Sequence, residues 1–182
     1  MPQRHDRLYE SRLVERFRQG DPNALSTLFE MHLDRVFGYA RHILGNREDA
    51  EEVVGEAFLR AFRRATDYRG DAPFHAWIFG ITRNLCRDRL RQPRLLTLPA
   101  DGEEPGGNDH SEDSNLSADV RRALSELPED QQDVLILCDV EEWDAREVAE
   151  MFERSLAATK SLLYRARRAL RDRLAEYWEE DE

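Results

Sequence analysis

Residues 128–174 constrain the fold more than any other part of this chain. They contain two short segments with helical apolar spacing, separated by a brief break. Asp144 and Glu147 have the spacing of a capping box, in which two side chains satisfy backbone N–H groups at a helix start. Ser155 can cap a second helix a few residues later. Two helices joined by so short a turn are typical of a helix-turn-helix.

The second of these helices is strongly basic. Residues 154–174 contain seven basic residues and one acidic residue, hence a net charge of +6, whereas the whole chain of 182 residues has a net charge of −11. Concentrated positive charge is what a helix needs when it enters the major groove between phosphates. An ordinary solvated helix face is the alternative interpretation, because Arg is a good helix former.

Negative charge is concentrated in the middle of the chain. Residues 101–130 carry ten acidic and two basic residues, together with Pro and Gly, and show no apolar periodicity before Leu116. This composition predicts a flexible acidic linker, although solubility alone is an alternative reason for the charge. Residues 60–94 carry nine Arg against three Asp, so basic zones flank the linker and indicate two separate contacts with nucleic acid.

Helical patterns also fill the first half of the chain. Asp21 and Pro22 form a cap followed by Pro at the first helical position, and Asn46 can cap the next helix. A further helix is predicted from Pro73 to about Arg91. The helix after Asn46 is expected to bury seven apolar side chains: Ala50, Val53, Val54, Ala57, Phe58, Ala61 and Phe62. No alternation is long enough for a strand, so the predicted fold is all-α.

Several functional classes are not expected. Cys86 and Cys138 are isolated, and the five His residues lack ligand spacing, so we expect a reducing cytoplasmic location and no metal site. No apolar run approaches the roughly 20 residues that span a bilayer, and charged residues 1–19 do not form a signal peptide. Because no Ser/His/Asp set or phosphate loop is found, we expect neither an enzyme nor a cofactor.

Six stretches of the chain resemble a known family. Residues 49–60 (DAEEVVGEAFLR), 68–77 (YRGDAPFHAW) and 81–91 (ITRNLCRDRLR) resemble region 2 of extracytoplasmic-function sigma factors. Region 4 of the same family is similar to residues 127–135 (LPEDQQDVL), 148–152 (VAEMF) and 159–170 (TKSLLYRARRAL). Both regions in this order, on either side of a linker, form a specific signature.

The resemblance implies both an architecture and a function. A region-2-like helical bundle is expected in residues 1–94, and a region-4-like helix-turn-helix domain in residues 116–182. A flexible acidic linker, residues 95–115, would join them. Such proteins bind core RNA polymerase and direct it to promoter DNA, so an alternative sigma factor of a stress or envelope response is expected. Control by an anti-sigma factor and no membrane insertion are implied as well.

The resemblance also implies three sets of site residues. Those for the melted minus-ten element are Tyr68, Phe74, Trp77, Arg83, Asn84, Arg87 and Arg91. Those for the duplex minus-thirty-five element are Lys160, Ser161, Tyr164, Arg165 and Arg168. Those for polymerase binding are Asp49, Glu52, Glu56 and Arg60. Aromatic rings beside Arg suit single-stranded DNA, although core packing is the alternative for Phe74 and Trp77.

Four positions depart from the family pattern. Gly55 replaces a usual Gln in the polymerase-binding helix. Glu153 replaces the usual Gly of the helix-turn-helix turn, and this predicts strain if the position requires a positive φ. Leu162 replaces a usual Arg and Thr159 a usual Val in the helix that is expected to read the upstream element.

Two other functions stay open at this point. A free-standing helix-turn-helix regulator would bind promoter duplex without polymerase, but residues 13–91 show no dimerisation or effector signature. A helical adaptor would bind a protein partner without touching DNA, and only Glu153 and Leu162 favour it.

Overall fold

The computed structural model describes residues 4–91 and 117–180, and all regular secondary structure in these ranges is helical. The all-α prediction is therefore confirmed for the part of the chain that is described. The chain divides into two compact units, Met1–Leu96 and Thr97–Glu182. The predicted linker, residues 95–115, lies outside the described residues.

Within residues 4–91, the first unit contains four long helices and a short 3₁₀ turn. They are α1 (Arg4–Arg18), α2 (Pro22–Leu44), α3 (Arg47–Arg63), the 3₁₀ turn (Ala65–Asp67) and α4 (Phe74–Arg91). The Asp21 carboxylate accepts from the backbone N–H groups of Asn23 and Ala24, and Gly45 ends α2 in the left-handed conformation with φ of 75°. The Asn46 side chain accepts from the Asp49 N–H at 2.7 Å. The sequence-predicted caps of α2 and α3 are thus confirmed.

Helix α2 is the centre of the first unit, because α1, α3 and α4 all pack against it. Phe17, Tyr39 and Phe79 are fully buried there, and the rings of Tyr39 and Phe79 meet edge to face with centroids 4.7 Å apart. Helix α3 buries six of the seven predicted apolar side chains. Phe62 is the exception and is 41% exposed, because it lies beyond the stripe that faces α2 and α4.

The described part of the second unit, residues 117–180, contains four helices and a π-helical turn. They are α5 (Ala118–Ser125), α6 (Glu129–Leu135), the π turn (Ile136–Val140), α7 (Ala145–Met151) and α8 (Leu156–Glu180). Helix α8 packs against α5, α6 and α7. The core of the second unit includes four fully buried apolar side chains: Val134, Leu137, Val148 and Ala166.

The predicted helix-turn-helix is formed by α7 and α8. The capping box at Asp144 and Glu147 is present, and the Ser155 hydroxyl accepts from the Ala158 N–H at 3.2 Å. Between them Glu153 has a φ of 51°, so the positive φ suspected from sequence is confirmed. The Arg154 N–H donates to the carbonyl of Ala149 at 2.9 Å, which is the long bond of a Schellman motif.

This turn yields a stability prediction. A residue with a Cβ pays roughly 1–2 kcal/mol in the left-handed region, whereas Gly avoids that cost but gives up some chain entropy. Glu153→Gly should therefore raise the free energy of unfolding by about 0.5–1 kcal/mol. Urea unfolding of the full chain, followed by circular dichroism, measures the change.

Glu150→Gly is the matched control, because Glu150 is an exposed Glu one turn earlier in the regular part of α7. It should lower the free energy of unfolding by about 1 kcal/mol, the cost of Gly inside a helix. Destabilisation by both substitutions would mean that Glu153 makes a stabilising contact that outweighs its backbone strain.

Candidate nucleic-acid and polymerase interfaces

Helix α8 exposes the residues that were predicted to read duplex DNA. Lys160, Tyr164 and Arg168 follow one another at intervals of four residues, and Ser161 and Arg165 lie beside them. All five side chains are exposed, and Tyr164 reaches 67%, an unusual value for a large aromatic residue. The predicted duplex-reading residues therefore share one accessible face.

The opposite face of α8 carries two of the departures from the family pattern. Thr159 is fully buried and its hydroxyl donates to the Ser155 carbonyl at 3.2 Å, while Leu162 is 5% exposed. Both side chains pack inside the second unit and do not point toward solvent. They consequently act on DNA reading only through the position of α8.

Two basic residues near the start and in the middle of the recognition helix form ion pairs with other parts of the second unit: Arg154, which precedes α8, and Arg167, which lies within it. Arg154 is paired with Asp130 of α6, and its guanidinium carbon lies 5.9 Å from the centre of the Phe152 ring. The Arg167 Nε donates to Asp139 of the π turn at 2.9 Å, and this bond raises the pKa of Arg167. These two ion pairs join α8 and the residue just before it to α6 and the π turn, whereas Lys160 and Arg165 form no ion pair with the described residues.

In the first unit, an aromatic cluster joins α1, α2, the loop before α4, and α4 itself. The ring of Phe74 lies 5.5 Å from Phe17, 5.4 Å from His32 and 5.9 Å from Trp77. The Tyr68 ring lies 4.8 Å from that of Trp77. The cluster is defined by these five residues, and Trp77 is its half-buried member at the surface.

Two predicted stacking residues are corrected by this cluster. Phe74 is 2% exposed and Tyr68 is 4% exposed, so neither ring offers a free face to a base in this conformation. The Tyr68 hydroxyl donates to the Ala72 carbonyl at 2.5 Å, and burial raises the pKa of Tyr68 to about 12. Both residues instead support Trp77 from behind.

A single face of α4 carries the exposed part of the minus-ten set. Trp77, Asn84 and Arg91 are separated by seven residues each, which is close to two helical turns, and Asn84 and Arg91 are exposed. Arg83 is half-buried beside this face. Arg87 is only 7% exposed, so its guanidinium is not accessible to a DNA phosphate in this conformation.

The predicted polymerase-binding helix, α3, is held to α4 by an arginine that sequence reasoning missed. Arg89 donates from Nε to Asp49 at 2.9 Å and from a terminal nitrogen to Glu52 at 2.8 Å. These bonds raise the pKa of Arg89. No sequence signal marks this pairing, because Arg89 lies 40 residues from Asp49 in a run of several Arg.

The remaining surface of α3 is mixed in character. Glu56 and Arg60 form an ion pair of 2.6 Å along the helix, and it lowers the pKa of Glu56. Leu59 is 53% exposed, and a Cβ on Gly55 would meet open space. The predicted polymerase-binding face is thus a polar helix surface that also exposes apolar side chains. Asp49 lies half-buried at the start of this face, where Arg89 binds it.

An apolar groove lies within the second unit, beside the Arg167–Asp139 ion pair. It has a volume of about 250 Å³ and follows the second half of α8. Its lining residues are Leu135, Asp139, Arg167, Leu170, Arg171, Leu174 and Ala175.

Two family models match the units just described. Sigma-70 region 2 matches residues 28–95, and Sigma-70 region 4 matches residues 117–170. The ECF RNA polymerase sigma factor SigM of Mycobacterium tuberculosis is 30% identical over 168 residues, which cover 92% of this chain and 85% of SigM. The chain belongs to the extracytoplasmic-function sigma factor family. The family resemblance of the six sequence stretches is therefore confirmed.

Other relatives agree with this membership. The ECF sigma factor SigE of Mycolicibacterium smegmatis is 34% identical, over 87% of this chain but only 65% of SigE. Among solved structures, CnrH in complex with the cytosolic domain of CnrY matches with a TM-score of 0.64 and 24% identity, over 93% of this chain and 97% of CnrH. That likeness concerns the fold. None of the described helices is long and apolar enough to span a membrane.

In this sigma factor, substitutions of Arg165 and Arg171 can distinguish a contact with a DNA base from a sequence-independent contact with phosphate. A bidentate guanine contact discriminates by about 1–3 kcal/mol, whereas a phosphate contact is blind to sequence and depends on salt. In reconstituted transcription, Arg165→Ala should reduce initiation and flatten the penalty for mutating one upstream base pair. Arg171→Ala should weaken all promoters alike. Equal and sequence-blind losses would show that Arg165 is a phosphate ligand.

Asn84 and Trp77 test the exposed face of α4. Asn84→Ala should impair promoter opening and leave polymerase binding intact, because an exposed amide can bond an extruded base edge. Trp77→Ala should do the same and also lower the thermal midpoint, since the ring belongs to the aromatic cluster. Permanganate reactivity of unpaired thymines measures opening. Normal opening with Asn84→Ala, together with unfolding by Trp77→Ala, would contradict the capture interpretation.

Gly55 gives a stability test on α3. Gly55→Ala should raise the free energy of unfolding by about 1 kcal/mol, because Gly is a poor helix former and the added Cβ meets no atom. Gly70→Ala is the control: its Cβ also meets open space, but φ is +81°, so about 1 kcal/mol should be lost. If both substitutions changed stability in the same direction, backbone conformation would not be the controlling factor.

Proposed function

We propose that this chain is an alternative sigma factor, which binds core RNA polymerase and directs it to a specific set of promoters from the cytoplasm. The observation that carries the proposal is the pairing of two exposed helix faces, on α4 and α8, with matches to sigma regions 2 and 4. One face has the chemistry for unpaired bases and the other for duplex DNA. This role is transcription initiation and involves no catalysis by the chain itself.

The minus-ten element is assigned to α4. Trp77 can stack on a base while its back is supported by Tyr68 and Phe74, so little ordering entropy is lost on binding. Asn84 follows seven residues later on the same side of the helix, with one donor and one acceptor for a base edge. Arg91 and Arg83 supply positive charge for the backbone.

Recognition of the minus-thirty-five element is assigned to α8. Lys160, Ser161 and Arg165 can reach base edges, and Tyr164 offers an apolar surface for a thymine methyl group. Arg168 lies one turn further along and suits a phosphate. Arg154 and Arg167 are not assigned to this set, because they pair with Asp130 and Asp139 of neighbouring elements and not within α8.

Polymerase contact is assigned to the exposed side of α3, with Glu52, Glu56 and Arg60 as its polar part. Among the structures of similar fold is the sigma factor RpoE in complex with the anti-sigma factor NepR from Bartonella quintana, with a TM-score of 0.57 and 20% identity. We expect an inhibitory partner of that kind to regulate this chain within a stress or envelope response.

In vitro transcription tests the proposal. Purified chain added to core polymerase and a fragmented genomic template should produce defined start sites, with a shared upstream motif at a constant distance. A regulator that acts without polymerase would instead bind duplex DNA alone and produce no new starts. Absence of new starts with active core polymerase would overturn the proposal.

Limited proteolysis tests the proposed domain boundaries. The first cut should fall within residues 95–115 and leave two resistant fragments that correspond to residues 1–94 and 116–182. Initial cleavage within residues 49–64 would contradict these boundaries, because that segment includes the core of α3.

A further inference from the structure

A glutamate at position 153 is energetically unfavourable for two reasons. Its φ of 51° is in the left-handed region, where a side chain costs roughly 1–2 kcal/mol. It also directly follows the carboxyl end of α7, where the partial negative charge of the helix repels a carboxylate. A residue that breaks local rules twice at an exposed turn points to a role outside folding.

The carboxylate of Glu153 is not neutralised by its neighbours. The adjacent Arg154 is engaged by Asp130 and lies over the Phe152 ring. Across residues 4–91 and 117–180, Glu153 itself takes part in no ion pair, and its side chain is exposed. A full negative charge therefore stands at the turn from which α8 begins.

The geometry of a helix-turn-helix places this turn close to DNA. The first helix of the motif crosses the phosphate backbone, while the amino-terminal residues of the second contact base edges. Glu153 joins the two helices, only seven residues before Lys160, the first residue of the exposed reading face. Its charge would thus lie within about 10 Å, one Debye length, of several phosphates.

We propose that Glu153 is an electrostatic brake on DNA binding by α8, and this inference rests on the proposed function. Its carboxylate repels the phosphates and offsets part of the attraction from Lys160, Arg165 and Arg168. The brake lowers affinity for all duplex DNA alike, because it acts on the backbone. Binding in the absence of polymerase is thereby suppressed, and selection of promoters depends more on base contacts.

Glu153→Gln tests the brake, because it removes the charge and retains both length and backbone strain. With the full chain and a random-sequence 30-bp duplex, it should tighten binding about three- to tenfold at low salt. The slope of log K against log salt should become steeper by up to about one unit. Glu153→Asp, which keeps the charge, should leave affinity unchanged.

Glu142 provides the matched control. It is an exposed Glu with φ of 54°, at the other end of α7, and the seven residues of this helix separate the two sites by about 10 Å. Glu142→Gln should change affinity less than twofold. Equal gains from both substitutions would show that only net charge matters, and unchanged affinity with Glu153→Gln would show that the turn lies away from DNA; either result overturns the brake.

A separate measurement distinguishes failure of the brake from failure of the proposed function. Lys160→Ala and Arg165→Ala should each weaken binding of the same duplex. If they do and Glu153→Gln has no effect, α8 binds DNA and only the brake is wrong. If neither weakens binding, α8 does not bind duplex DNA, and the assignment of the upstream element fails with the brake.

Discussion

Burial of one side of α8 is the constraint on which the second unit depends. Thr159, Leu163 and Ala166 recur at helical spacing and pack against α5, α6 and α7, which fixes the rotation of α8 about its axis. Lys160 and Tyr164 must then face solvent on the other side. The buried stripe thus also determines which side chains of α8 are exposed, because a rotation of the helix would expose Leu162 in place of Lys160 and Tyr164.

In the first unit, aromatic rings fix the position of a surface side chain. Phe17, Tyr68 and Phe74 come from three separate segments, and together they hold Trp77 at the surface. A half-buried ring held on several sides is preorganised for stacking. Arg89 fixes α3 to α4 on the same unit, so the helices assigned to polymerase and to the melted strand are coupled by a polar contact as well as by the core.

Local signals in the sequence predicted the helix starts well, because a cap such as Asp144 or Ser155 acts within four residues. Comparison with the family pattern drew attention to Glu153, and the structure shows that its φ is positive. The burial of Tyr68 and Arg87 was missed, since it depends on helices that are distant in sequence. The resemblance to the family named residues of α8 that share one exposed face, but the sequence could not show that Arg167 pairs with Asp139 of the π turn.

In the proposed function, α4 and α8 face two different DNA elements when the chain is bound to polymerase. Site-specific photocrosslinking tests it most directly, with a photoreactive amino acid at position 84 or 164 in a promoter complex assembled with core polymerase. Position 164 should crosslink to duplex DNA near minus thirty-five, and position 84 should crosslink to the unpaired strand near minus ten. Crosslinks from both positions to polymerase alone, with none to DNA, would contradict it.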